Sequence, residues 1–183
     1  MSRIEARTQD LLLISYPTNM GKGFAIRAGV QRSTAPVIAF TDIDFPYTME
    51  SMLRVIHPVL EGTADVALAV RNITYYTHLP AGRKLMSKML RWVNRNVLRL
   101  HTSDTQGGLK AFNLSVRDLF LQGRINRYLF DLEFAYLLSR NPSIRVLPVE
   151  ADLREGIQMS PVRLKILLGE SLNFLKVIGR RVK

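Results

Sequence analysis

The chain contains no cysteine, and its three histidines, His57, His78 and His101, are scattered without zinc-ligand spacing. Disulfides and thiolate metal centres are therefore excluded, and any metal must be held by oxygen. Acidic residues are also scarce: 15 Asp and Glu stand against 26 Lys and Arg, a formal net charge of +11. That excess implies attraction to something anionic, whether nucleic acid, an acidic lipid surface or a phosphorylated substrate. No apolar run approaches the ~18 residues of a spanning helix. Met1 to Asp10 is polar and mixed in charge, so no secretory signal is read there either. The expectation is a soluble or surface-bound intracellular protein. What is present suits that expectation, since 183 residues with 47% hydrophobic and 22% charged content can bury a sizeable single core.

Strand and helix signals alternate along the chain. Asp10 to Ser15 reads as a buried strand, which Pro17, Asn19, Gly21 and Gly23 break before a helical stretch from Phe24 to Gln31. Pro36 opens a second strand, Val37 to Thr41. Thr48 is placed to cap a helix containing Met52, Val55, Ile56 and Val59, and Ala64 to Val70 returns as a third strand. Arg83 to Arg99 reads as a basic amphipathic helix, with Lys84, Lys88, Arg91, Arg95 and Arg99 on one stripe and Met86, Leu90, Val93, Val97 and Leu100 on another. A short strand from Thr105 to Phe112, a helix from Leu129 to Arg140 and a strand from Ser143 to Val149 follow, and a second basic helix begins at Pro161. This order predicts an α/β fold with a mainly parallel sheet flanked by helices. No repeat or low-complexity tract interrupts it.

The most informative feature is Asp42-Ile43-Asp44, directly after the apolar run Val37 to Phe40. Side chains two apart on a strand leave the same face, so both carboxylates could converge on one hard cation, Mg²⁺ or Mn²⁺, with substrate phosphates completing the shell. The strand's carboxyl end is also where open α/β sheets place ligands.

Four segments, Asn19-Met20-Gly21-Lys22-Gly23, Asp42-Ile43-Asp44, Asp104 to Phe112 and Phe130-Asp131-Leu132-Glu133, occur in an order and spacing that resembles the family 2 glycosyltransferases of GT-A fold. Within them the likeness is to the polyprenyl-phosphate sugar synthases, such as dolichyl-phosphate glucosyltransferase and dolichyl-phosphate mannose synthase. It runs from about Leu11 to about Ser160. The resemblance implies a Rossmann-like GT-A domain over residues 1–160, followed by a basic amphipathic C-terminal helix over 161–183. It also implies an inverting, metal-dependent transfer of sugar from a nucleotide-sugar donor to a polyprenyl phosphate, at the cytoplasmic face of a membrane.

On that resemblance Gly21, Lys22 and Gly23 close over the nucleotide side of the donor. Asp44 is a direct metal ligand, and Asp42 lies nearer the donor's sugar or ribose. Asp104 and Gln106 line the acceptor and sugar side as catalytic residues, and Lys110 falls on the substrate side. Glu133 is a carboxylate facing the site from a helix, while Asp131 reads as that helix's cap. Arg154 falls near an arginine that reaches the phosphates.

The chain departs from the family in two ways. Leu109 stands in a segment that is usually Gly-Phe-Lys, and the first two strands of the family, which carry the base pocket, do not precede Leu11. The expectation is an N-terminally shortened copy, weak or inactive by itself, with an exposed edge on the strand from Val37. A different reading is a noncatalytic basic module for anionic lipid or nucleic acid. Nucleic acid is the weaker version, because Trp92 is alone among the charges of its stretch and no recognition motif occurs.

Overall fold

A computed structural model of the chain describes residues 4–7, 11–71, 88, 91–100 and 107–154. The elements are β1 (Ile4–Arg7), β2 (Leu12–Ser15), α1 (Lys22–Arg32), β3 (Val37–Phe40), α2 (Met49–Leu60), β4 (Val66–Arg71), a π-helical turn at Val93–Val97, β5 (Lys110–Asn113), α3 (Leu114–Leu121), α4 (Phe130–Ser139) and β6 (Val146–Ala151). Helix starts follow local chemistry. Thr48 Oγ1 accepts from the Ser51 amide at 3.2 Å to open α2, and Asn113 Oδ1 accepts from the Ser115 amide at 3.1 Å to open α3.

The main sheet has the order β3-β5-β4-β6. β4 and β6 run parallel, whereas β5 is antiparallel to both β3 and β4. The predicted mainly parallel sheet is thus corrected to a mixed one, in which three strands share a direction and β5 runs back between them. A strand buried on both faces has the same continuous apolar look in either direction, so the sequence carried no signal for the reversal. β3 is the edge strand of this sheet, as expected.

Alternation along the strands separates two cores. Val66, Leu68 and Phe112 face α1, α3 and α4, where they pack with Val30, Ile38, Val116, Phe120, Phe130 and Phe134. The opposite face carries Ala67, Ala69 and Ala111, and against these small side chains lie Val55 and Val59 of α2. Phe120 binds the first core together, with ring centroids 5.2 Å from Phe112 and 4.9 Å from Phe134.

Two other expectations change. β2 does not lie in a buried sheet: it pairs antiparallel with β1, and Leu11 and Leu13 are 66% and 55% exposed. Outside the four-stranded sheet, no layer among the described residues covers it. Of the basic amphipathic helix, only Lys88 and residues 91–100 are described. There Asn94 and Leu98 are buried, and Leu100 of the expected apolar stripe is half-buried against the first core. The C-terminal basic helix lies outside the described residues.

At the end of the sheet remote from Asp42, Asp65 ties three strands together. Its carboxylate accepts from Asn113 Nδ2 at 3.0 Å, from Arg145 Nη2 at 2.8 Å and from the Arg145 amide at 2.9 Å. These bonds, led by that of the Arg145 side chain, hold the Asp65 carboxyl at about 2 against an ordinary 3.8. A depressed folded-state pKa adds stability above the unfolded value and loses it as pH falls through the folded one. Asp65→Asn is therefore expected to lower the urea midpoint at neutral pH. The gap from the native chain should close as pH falls from about 4 towards about 2, which unfolding curves across that range would measure.

Candidate functional site

The topology brings the sequence motifs to one end of the sheet. Phe40 and Leu68 both pair with Lys110. The residues after β3, those before β5 and those after β6 therefore meet beyond the carboxyl ends of the parallel strands. Arg154 belongs to this end: its Nη2 donates to the Asp44 carbonyl at 2.5 Å, and its amide donates to the Pro46 carbonyl at 2.8 Å. Tyr47 Oη accepts from the Gly108 amide at 2.9 Å, fixing the start of β5 against the acidic turn.

The acidic pair is arranged differently from the strand-based expectation. β3 ends at Phe40, and Asp42 to Phe45 form a turn closed by the Phe45 amide on the Asp42 carbonyl at 3.0 Å, with Phe45 at φ 44°. Period-two alternation therefore does not govern the two side chains. Asp42 is half-buried, with Oδ1 receiving the Lys22 ammonium and Oδ2 against the Cα of Gly108. Asp44 is exposed, and among the described residues its carboxylate has no partner. Thr41 Oγ1, next to Asp42, is buried and likewise has none.

These donors are hard oxygens in the number that Mg²⁺ or Mn²⁺ takes from protein when phosphates and water supply the rest, so the turn fits such a cation. Among the described residues no cluster of three or more His, Asp or Glu side chains adds a further ligand.

Lys22 is set in place by the glycines around it. Gly21 has φ +95°, and a Cβ there would meet the Asn126 carbonyl oxygen at 2.3 Å; a Cβ on Gly23 would meet the Ile125 oxygen and Phe130 Cβ at 2.6 Å. Gly21 and Gly23 make a close backbone approach to the protein's own loop. That packing fixes the first turn of α1, and the Lys22 ammonium reaches Asp42 and lies 5.6 Å from the Phe130 ring centroid. A cavity of about 450 Å³ opens beside it, lined by Tyr16 to Gly21, Lys22, Phe24 and Ala25. Tyr16, whose ring meets Phe24 edge-on at 5.1 Å, has a buried hydroxyl without a partner among the described residues.

The two acidic residues of α4 differ from their predicted roles. Leu129, not Asp131, is the N-cap residue. Asp131 is buried and accepts from Lys110 Nζ at 2.6 Å, and the same ammonium donates to the Gly107 carbonyl at 2.5 Å. Burial pushes the Asp131 carboxyl above the usual carboxylate range against the pull of Lys110 and Lys22, with the negative Asp42 adding to the push. Glu133, two positions on, leaves the helix about 200° away. Its Oε2 accepts the amides of Arg124 and Ile125 at 2.8 and 2.9 Å, which anchors the loop that supports Gly21 and Gly23. The geometry therefore puts Asp131 toward Lys110 and Asp42, and Glu133 on the supporting loop.

The structure brings together Lys22, Asp42, Lys110, Asp131 and the turn bearing Asp44 and Arg154. Asp104 and Gln106 lie outside the described residues. Sequence reasoning missed Tyr16 and Tyr47, and it read Asp131 as a cap where the structure pairs it with Lys110. A lysine inside the apolar strand Leu109 to Phe112 was the available signal, since a buried ammonium demands a carboxylate.

No protein-family model matches the chain, and no curated protein matches it in sequence. Solved structures do match. Mannosyl-3-phosphoglycerate synthase from Rubrobacter xylanophilus superposes with a TM-score of 0.61 at 15% identity, over 88% of this chain and 51% of that one. Glucosyl-3-phosphoglycerate synthase from Mycobacterium tuberculosis gives 0.57 at 18% identity, over 92% and 59%. The same enzyme in complex with Mn²⁺, uridine-diphosphate-glucose and phosphoglyceric acid gives 0.53 at 13%, over 89% and 55%. The chain thus has a GT-A-type glycosyltransferase fold and spans somewhat over half the length of these structures.

Two stability predictions follow from this geometry. Gly21→Ala should cost about 1–3 kcal/mol through its positive φ and the Asn126 contact, whereas Gly29→Ala, within α1 and with open space around it, should gain about 0.5–1 kcal/mol. Asp131→Ala, which strands the Lys110 charge, should cost about 3–5 kcal/mol in urea unfolding, and joint replacement by Lys110→Met and Asp131→Leu should recover most of that.

Proposed function

We propose that this chain carries the donor-phosphate side of a metal-dependent sugar transferase, which moves a sugar from a nucleotide-sugar donor to an acceptor bearing a phosphate. The observation that carries this reading is that Lys22 and Arg154 both meet the acidic turn at the carboxyl end of a GT-A sheet, with a cavity opening beside Lys22. Asp42 and Asp44 would hold Mg²⁺ or Mn²⁺, and the ion when bound draws charge from the leaving diphosphate. Lys22 and Arg154 add positive charge on either side of the turn, where a diphosphate accumulates negative charge as it departs. Lys110 and Asp131 hold the Gly107 carbonyl and the start of β5 still, so that Gly108 keeps Asp42 oriented. Asp104 and Gln106 are assigned to the sugar and acceptor side.

A polyprenyl phosphate is the acceptor we favour. Its anionic oxygen attacks the anomeric carbon directly, with inversion and without a general base. The engagement of Glu133 with backbone amides agrees with a site that needs none. Trp92, 60% exposed beside exposed Arg95 and Arg99, suits contact with an anionic bilayer. This supports a peripheral position at the cytoplasmic membrane face, and no described helix is long and apolar enough to cross a membrane. A second reading keeps the transfer but takes a small phosphorylated acceptor; it draws on the complex of a similar structure with phosphoglyceric acid.

Binding is the primary test, because the chain spans little more than half of those structures. UDP with Mn²⁺ should raise the melting temperature, and either alone should do less. The gain should vanish in Asp44→Ala, whose exposed site leaves the fold intact. Equal stabilisation of native chain and variant would overturn the proposal. Transfer from UDP-glucose to a polyprenyl phosphate, measured against phosphoglyceric acid, separates the two acceptors.

A further inference from the structure

We infer that Lys22 is a built-in competitor for the cation at Asp42, and that a diphosphate entering the adjacent cavity releases it, so that nucleotide and metal bind cooperatively. This deepens the proposed function and rests on it. Oδ2 of Asp42 faces the backbone of Gly108, where an added Cβ would meet it at 2.1 Å, so its approach is narrowed on that side and Oδ1 is the oxygen turned toward Lys22. Lys22 already occupies Oδ1, with both side chains about one-third exposed, at 33% and 34%. A divalent ion that takes Oδ1, alone or together with Oδ2, must therefore displace an ammonium that is tethered and cannot diffuse away.

The backbone of Lys22 cannot withdraw, because Gly21 and Gly23 are locked against Asn126, Ile125 and Phe130. The side chain alone can move. It has the face of Phe130 on one side and the cavity from Tyr16 to Ala25 on the other. A diphosphate in that cavity offers the ammonium a doubly charged partner and so frees Oδ1 for the metal. Each ligand then strengthens the other by the same factor. In the ligand-free state the ion pair also keeps Asp42 in its oriented position without metal.

Mn²⁺ titration followed by electron paramagnetic resonance, with and without UDP, tests this. In the native chain Mn²⁺ should bind weakly alone and roughly tenfold more tightly with UDP. Lys22→Met should bind Mn²⁺ alone about tenfold more tightly than the native chain, and the effect of UDP should shrink. Lys22→Arg, which keeps an ion pair, should stay weak. Arg154→Met removes an equal charge that rests on a carbonyl and not a carboxylate, and it should shift the affinity by about threefold or less, as a screened surface charge does.

A Lys22→Met chain whose affinity for Mn²⁺ alone is unchanged or weaker overturns the inference, as does a gain in Arg154→Met equal to that in Lys22→Met. In both cases Mn²⁺ binding that is lost in Asp44→Ala leaves the proposed function standing. Absence of Mn²⁺ binding from every variant, with and without UDP, removes the proposed function and this inference together.

Discussion

The buried ion pair between Lys110 and Asp131 is the constraint on which the site depends. An ammonium and a carboxylate removed from water cost several kcal/mol each, and the arrangement holds only because the geometry satisfies both. Lys110 meets that demand with two acceptors, Asp131 and the Gly107 carbonyl, while the Phe40 ring centroid lies 5.7 Å away. The pair therefore joins α4 to the first residue of β5 and pins the chain just upstream. Gly107 and Gly108 have no side chains there, and a Cβ on either would strike Ala69 or Asp42. From this point the position of the Asp42 carboxylate follows.

A second set of contacts positions the other half of the site. Arg27 donates to the Ile125 carbonyl at 2.8 Å and to the Asn126 side chain, while Glu133 takes the amides of Arg124 and Ile125. The loop from Gly123 to Arg127 is thereby held at both edges by charged groups, and it forms the surface on which α1 begins. Neither Arg27 nor Glu133 need touch a substrate for this purpose. Together they fix where Lys22 starts.

Much of the fold was legible because it rests on local rules. The period of Met52, Val55, Ile56 and Val59, the Thr48 cap and the apolar runs of β3 and β4 all correspond to observed elements. α3 was missed although Asn113 before Leu114 is a cap signal, because its eight residues offer only two buried positions, Val116 and Phe120. The site was legible as a set of segments and not as geometry. Asp42 and Asp44 could be picked out, but the turn that separates them depends on a φ at Phe45 that its residue type does not announce. Asp131 is the partner of a buried lysine and Glu133 the anchor of a loop because the choice between a cap, a buried pair and a cleft-facing group is made by what packs against α4, which no local pattern records. The reversed direction of β5 is likewise a property of the whole sheet.

The Asp65 cluster and the Asp42 turn occupy opposite poles of the same strands, with the length of β5, about 13 Å at 3.3 Å per residue, between them. Groups so far apart and sharing no partner contribute independently to the free energy of the chain. Robustness and chemistry are therefore separable in this fold. Reinforcing the Asp65 pole offers a reserve against which costly changes at the other pole could be tolerated, so altered specificity need not come at the expense of a folded protein.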